Sequence, residues 1–332
     1  MKQMRIMAIA IISVALLLLA SGCTQPATNT TVPVTEIRIG YQPSTHQVAH
    51  MVAMDKGWWQ QDLAPFGIVK VTDYVFPTGA PEMQAMLAGD IDVAYVGAAP
   101  VLSAASTGLD AKIVAAVNTE GSDLVLRSGL SYTGPQSLKG LKIATFQAGT
   151  IQDTILRNWL KENGIDPEKD VTIVGMGPGD AVTAITAGQV DAVFLPHPSP
   201  SIIEANGKGM IIVHSGEMYP NHTCCVLVVS GKLIREHPEI VGQIVKTHIR
   251  ASDFARQNLN ETAEIYARKN SANVEEIKAS LRDWDGDFVT DPNVIINPVL
   301  DYARIQYDLG YIKKSLTQSD LFDLSFYAKV KG

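Results

Sequence analysis

Residues 88–100 read Ala88-Gly89-Asp90-Ile91-Asp92-Val93-Ala94-Tyr95-Val96-Gly97-Ala98-Ala99-Pro100. The pattern returns 99 residues further on as Ala187-Gly188-Gln189-Val190-Asp191-Ala192-Val193-Phe194-Leu195-Pro196-His197-Pro198. Each copy reads as a helix end, a glycine stop, a short apolar strand and a loop. Solenoid units are only about 20–50 residues long, so this offset predicts two lobes built on one plan. A second pair agrees: Ile37-Arg38-Ile39-Gly40-Tyr41-Gln42 and Leu141-Lys142-Ile143-Ala144-Thr145-Phe146-Gln147 start 104 residues apart, each a strand pattern leading into a helix. In open α/β sheets the loops at the carboxyl ends of the strands line the ligand crevice. Two such lobes facing each other predict a cleft.

The chain has 332 residues, ample for two α/β cores. Its net charge is −7 and it carries no basic tract, which argues against a nucleic-acid partner. The three cysteines, Cys23, Cys224 and Cys225, make no disulfide framework. Adjacent cysteines sit too close for an unstrained disulfide, so Cys224 and Cys225 read as two strand residues, at least one of them buried.

Lys2 and Arg5 precede an apolar run over residues 6–20, which ends in Ala20-Ser21-Gly22-Cys23. This is a secretory leader by pattern. Small residues directly before a cysteine resemble a lipoprotein signal, which implies cleavage after residue 22, lipidation of Cys23 and a membrane anchor. The Thr- and Pro-rich stretch that follows makes residues 23–35 a flexible tether. The rest of the chain is then extracytoplasmic, either tethered to the outer face of the cytoplasmic membrane or periplasmic.

Beyond the tether, the first strand is followed by Ser44 with Gln47 three residues later, a capping-box pattern. The helix start there would present free N–H groups to an anion. Residues 77–80 form a turn before a helix that ends at Gly89. The loop Gly97-Ala98 carries residues small enough for a ligand to approach the backbone. In the second lobe Thr150 is the expected N-cap, with Asp153 three residues on. The glycine-rich run 175–180 lacks the Gly-Lys-Ser/Thr ending of a nucleotide loop, and Asp180 reads as a cap. The expected division is 36–126 and 227–332 for lobe 1, with 127–226 as lobe 2.

Three stretches now carry a resemblance. Residues 37–43, Lys56-Gly57-Trp58-Trp59 and residues 86–94 resemble the nitrate/sulfonate/taurine/bicarbonate branch of solute-binding proteins that serve ABC importers. Residues 160–164 and 188–192 are similar to that family's second lobe. The resemblance implies an α/β, two-lobed type II periplasmic-binding fold, each lobe a mixed sheet flanked by helices, with two hinge crossings. It also implies a small-molecule ligand, a membrane permease with a separate ATPase chain, no cofactor, no catalytic residues and a monomer. Carried to matching positions, the ligand-binding residues are Gln42, Ser44, Thr45, His46, Thr78, Gly79, Gly97, Ala98, Gly149, Thr150 and His197. The family often has a Trp and an acidic residue where this chain reads Leu195-Pro196-His197-Pro198.

No Lys or Arg lies in those loops, so a sulfonate-like anion would rely on helix N-termini and hydroxyls. A neutral heterocycle such as a thiamine pyrimidine is an alternative. Metal capture is another: His46 and His50, at i and i+4, share a helix face, and His197 is a possible third ligand. Otherwise one histidine faces the cleft and the other faces solvent. An enzyme on the same fold is a further alternative, though no nucleophile–base motif is visible.

Overall fold

The computed structural model describes residues 33–332. The leader, Cys23 and most of the expected tether lie outside these residues. Ten strands form two five-stranded mixed sheets. The first sheet has the order β2-β1-β3-β10-β4, where β1 is Glu36–Tyr41, β2 Lys70–Val75, β3 Val93–Gly97, β4 Ala111–Thr119 and β10 Thr223–Ser230. The second has the order β7-β6-β8-β5-β9, with β5 Ser122–Arg127, β6 Lys142–Thr145, β7 Thr172–Gly175, β8 Ala192–Pro196 and β9 Gly209–His214. This is the expected α/β architecture of two lobes, each a mixed sheet flanked by helices.

The repeated stretch explains the symmetry. β3 and β8 are buried at every position, as strands covered by helices on both faces must be, and so they read as unbroken apolar runs. Gly89 and Gly188 precede them with positive φ, which ends the preceding helix without a Cβ clash. The aspartate between glycine and strand has one job in both copies. Asp92 accepts the Arg38 backbone N–H at 2.9 Å and pairs with the Arg38 guanidinium, while its own N–H donates to the Arg38 carbonyl. Asp191 likewise accepts the Lys142 N–H at 3.0 Å, returns its own N–H to the Lys142 carbonyl and pairs with Arg127. Each aspartate thus sets the register of its strand against the neighbouring parallel strand.

The passages between sheets fall earlier than expected. β5 pairs with β8 and β9, so residues 122–127 belong to the second sheet, and the first crossing is at Glu120-Gly121 rather than at 126/127. β10 lies wholly in the first sheet, between β3 and β4, so the return is over residues 215–222 rather than at 226/227. The strand signal over 111–127 is almost continuous, and the polar run 128–140 imitates a linker, although it is a turn inside the second lobe. Glu120 and Gly121 both have positive φ, and this makes the break. The C-terminal segment covers the outer edge of β4: Val289 donates to the Val117 carbonyl and Thr119 to that of Asp287. Residues 34–332 pack as one compact unit, and no helix among the described residues is long and apolar enough to cross a membrane.

Candidate functional site

The carboxyl ends of β1, β3, β6 and β8 converge where the two sheets face each other. Between them lies a cavity of ≈ 20 Å³, room for about one water molecule. Gln42, Ser44, His46, Gly79, Gly97 and Thr150, six of the expected residues, border it. His197 borders a second, smaller space of ≈ 10 Å³ with Gln42, Ser44 and Phe146. The lobes are in contact here: the Thr45 N–H donates to the His197 carbonyl at 3.2 Å, and the Gln306 amide bridges the carbonyls of Ala99 and Gly149.

On the first lobe, Gln42 is held by two bonds. Its N–H donates to Gln47 Oε1 at 2.6 Å and its side-chain amide to Glu82 Oε2 at 2.6 Å. Glu82 is fully buried, and burial raises its carboxyl well above the ordinary range. The expected capping box does not form. The Ser44 side chain makes no cap bond, since the Gln47 N–H goes to the Ser44 carbonyl, and the Gln47 side chain accepts from the Gln42 N–H rather than from Ser44. Thr78 and Gly97 precede the helices Gly79–Ala88 and Ala98–Ser106, whose N-termini therefore meet at the cleft. A Cβ on Gly79 would lie 2.6 Å from Pro100, which explains the glycine. Ala98 is buried in the first turn and does not border the cavity.

On the second lobe, Thr150 caps the helix Ile151–Glu162 as expected, accepting from Asp153 N. Its own N–H is engaged by the Gln147 carbonyl. The first N–H groups of this helix, on Ile151 and Gln152, have no intrahelical carbonyl to meet, and both residues border the cavity. Gly149 stands aside, against Ser103 and Ala104 in an outer groove. At the helix Pro178–Thr186 the cap is Gly177 rather than Asp180, since Pro178 already occupies the first helical position.

His197 does not face a ligand space alone. Its Nε2–H donates to Asp123 at 2.8 Å, and its Nδ1 shares hydrogen bonding with the Ser280 and Ser201 hydroxyls at 3.0 and 3.1 Å. Ser280 comes from the first lobe, on the helix Val274–Asp283, so this contact joins the lobes. Asp123 also takes His214 Nδ1 at 2.8 Å. Burial pushes the Asp123 carboxyl up, but the bonds from both histidines outweigh it and hold the group below its usual value. The bond to Asp123 raises His214 to about 9.

The His46–His50 pairing is not a metal site. His50 is fully buried and turns to Asp73 at 3.3 Å, so it is not the solvent-facing partner expected either. His46 lies instead against Cys224 and Cys225, both buried. The thiols are 3.8 Å apart. Their mutual hydrogen bond holds Cys225 below the ordinary thiol range and, with burial, pushes Cys224 above it.

Gln152, Phe146 and the two cysteines also border the cavity and are not among the residues expected there. Gln152 follows a recognised N-cap by two positions, so it was within reach. The cysteines were hidden, because an apolar strand gives no sign of which end meets a cleft. Asp123 was obscured by the misplaced crossing. No Lys or Arg borders either interlobe space, as the loops predicted.

A Bacillus subtilis (strain 168) protein named for aliphatic sulfonates binding is 26% identical over 325 residues, 96% of this chain and 95% of that protein. The taurine-binding periplasmic protein of Escherichia coli K12 is 27% identical over 176 residues, 53% of this chain and 54% of that one. Among solved structures, the alkanesulfonate-binding protein SsuA of Xanthomonas axonopodis pv. citri, bound to MOPS, superposes with a TM-score of 0.78 at 21% identity, covering 88% of this chain and 99% of its own. That likeness shows the two-lobed fold of periplasmic binding proteins. The NMT1-like family model matches residues 30–268, most of both lobes with the opposed strand ends that make the cleft, and the chain belongs to that family.

Proposed function

We propose that this chain is the extracytoplasmic solute-binding component of an ABC importer. It captures a small sulfonate- or taurine-like anion between its lobes and hands it to a membrane permease. The observation that carries this is the convergence of three helix N-termini, starting after Thr78, Gly97 and Thr150, on one interlobe space at the strand carboxyl ends. Such ends stabilise negative charge without a cation, and none is present in the lining. The relatives named for sulfonates and taurine support the ligand class.

Gln42, Ser44, Thr45, His46, Thr78, Gly79, Gly97 and Thr150 are the ligand residues in this reading, with Gln152 added. His197 and Gly149 act between the lobes, and Ala98 serves the helix start. The lobes, 34–119 with 223–332 and 122–214, rotate about the two crossings. An open form admits the ligand, and contacts to both lobes favour the closed form. The chain works as a monomer, performs no catalytic step, and is anchored through lipidated Cys23; its ATPase is a separate chain.

A thermal-shift panel with taurine, methanesulfonate, nitrate, bicarbonate and a thiamine pyrimidine tests the reading. A ligand at about 100 times its Kd adds roughly 2.7 kcal/mol of stability. A shift with taurine or methanesulfonate that is lost in Gln152→Ala is expected. A shift with the pyrimidine alone would replace the anion by a heterocycle, and silence from all five would reject the ligand class.

A further inference from the structure

We propose that His46, Cys224 and Cys225 form a binding site for one thiophilic d10 metal ion, zinc(II) or copper(I), at the inner wall of the interlobe cleft. Neighbouring residues of a regular strand point to opposite faces, so adjacent cysteines should not share a partner. In β10 they do. Thr223 lies opposite Thr119 and Cys225 opposite Asn118, so β10 carries one residue more than β4 over this interval. That bulge turns both thiols to one side, Sγ to Sγ 3.8 Å. A tetrahedral ion with bonds of about 2.3 Å to sulfur spaces two sulfurs by roughly 3.8 Å.

The imidazole is oriented for the same task. Its Nε2 lies 2.6 Å from the Gly121 carbonyl, which can only accept, so Nε2 carries the proton. Nδ1 is then a bare lone pair, and it points at Cys224 Sγ from 3.2 Å. Metal-bound histidines are commonly fixed by such a bond from the other ring nitrogen to a carbonyl. Gly121 permits the approach, for a Cβ there would stand 2.6 Å from Nε2. The three donor atoms lie within 4.8 Å of one another and all three side chains are buried.

The donor set selects the ion. Two sulfurs and one imidazole suit zinc and copper(I), whereas magnesium and calcium take oxygen. Three protein ligands match trigonal copper(I), or zinc with its fourth position open to the adjoining cavity. Strain disfavours a disulfide between neighbours, so the thiols remain available. The site borders the proposed solute space and shares His46 with it, so metal binding is tested with the metal alone and no solute present.

The test uses the full chain carrying Cys23→Ser, chelated, reduced and kept anaerobic. Zinc(II) and copper(I) are added separately, and bound metal is counted after desalting. One ion per chain is expected in at least one arm, with both remaining thiols protected from a thiol reagent. X-ray absorption at the bound metal should show two sulfurs and one nitrogen, with a fourth light atom for zinc and none for copper. His46→Gln and Cys225→Ser should each weaken binding tenfold or more while circular dichroism stays unchanged. Smaller losses in either variant, a different donor set, or no stoichiometric ion in either arm would falsify the site.

Discussion

Asp285 Oδ1 accepts the Gly121 N–H at 2.7 Å, at the point where the chain first leaves one sheet for the other. Its second oxygen accepts the Gly216 N–H, also at 2.7 Å, on the returning passage. One carboxylate thus ties both crossings together. Glu120 adds a second tie, taking the Asn221 N–H at 2.7 Å. Hinges absorb rotation in a few backbone dihedrals, and this pair of ties limits which dihedrals can move. Asp285→Ala leaves two N–H groups unmet and should cost about 3 kcal/mol in denaturant unfolding. Small-angle scattering of the same variant should show a larger radius of gyration. An unchanged radius would mean that Asp285 does not restrain the hinge.

The two register-setting aspartates should be interchangeable in their effect. Asp92→Ala frees a part-buried backbone N–H on β1, and Asp191→Ala frees an exposed one at the first residue of β6. Each should lose about 1–3 kcal/mol. They lie in different sheets, so the double variant should equal the sum within about 0.5 kcal/mol. A marked departure from the sum in denaturant unfolding would show that the sheets do not behave as separate sites.

Acid should weaken the protein through a buried imidazole. His248 donates from Nε2 to the Ala116 carbonyl at 2.8 Å and accepts from the Tyr95 hydroxyl at 3.0 Å, and burial lowers it to about 4. A base depressed on folding contributes fully above its unfolded value near 6.5. That contribution, on the order of 3 kcal/mol, disappears as the pH falls toward 4. His248→Gln should flatten the stability profile over this interval, as measured by urea unfolding at successive pH values.

His214 should act with the opposite sign. It is raised to about 9 by its bond to Asp123, so its contribution is complete below pH 6.5 and is lost as the pH rises through about 9. Asp123 is held low, so its share is present above its ordinary carboxylate value and vanishes only in strong acid. His214→Asn should therefore destabilise at pH 6 and match the parent at pH 10 in the same unfolding series. A deficit at pH 10 as large as at pH 6 would assign the effect to packing.

The repeated stretch made most of this architecture readable, because glycine stops and unbroken apolar strands are local signals. The cap at Thr150 was readable for the same reason. The crossings were not: Glu120 adopts a positive φ that no residue type announces, and the strand pattern runs on across it. The Ser44 capping box does not form because both backbone N–H groups it needs, on Ser44 and Gln47, go to backbone carbonyls, and the Gln47 side chain serves Gln42 instead. The thiol pair stayed invisible because a bulge depends on the partner strand. Nothing within Thr223-Cys224-Cys225 shows that Asn118 will stand opposite.

The placing of β10 between β3 and β4 fixes an order of events during synthesis. The second sheet draws every strand from residues 122–214, so it can close while the chain is still growing. The first sheet cannot, since β3 and β4 meet only through a strand made about a hundred residues later. Until residue 230 emerges, the facing edges of β3 and β4 stay unpaired, the template on which strands of other chains add. A nascent chain halted with residue 215 just outside the ribosome would be unfinished and adhesive, with its later lobe folded before its earlier one.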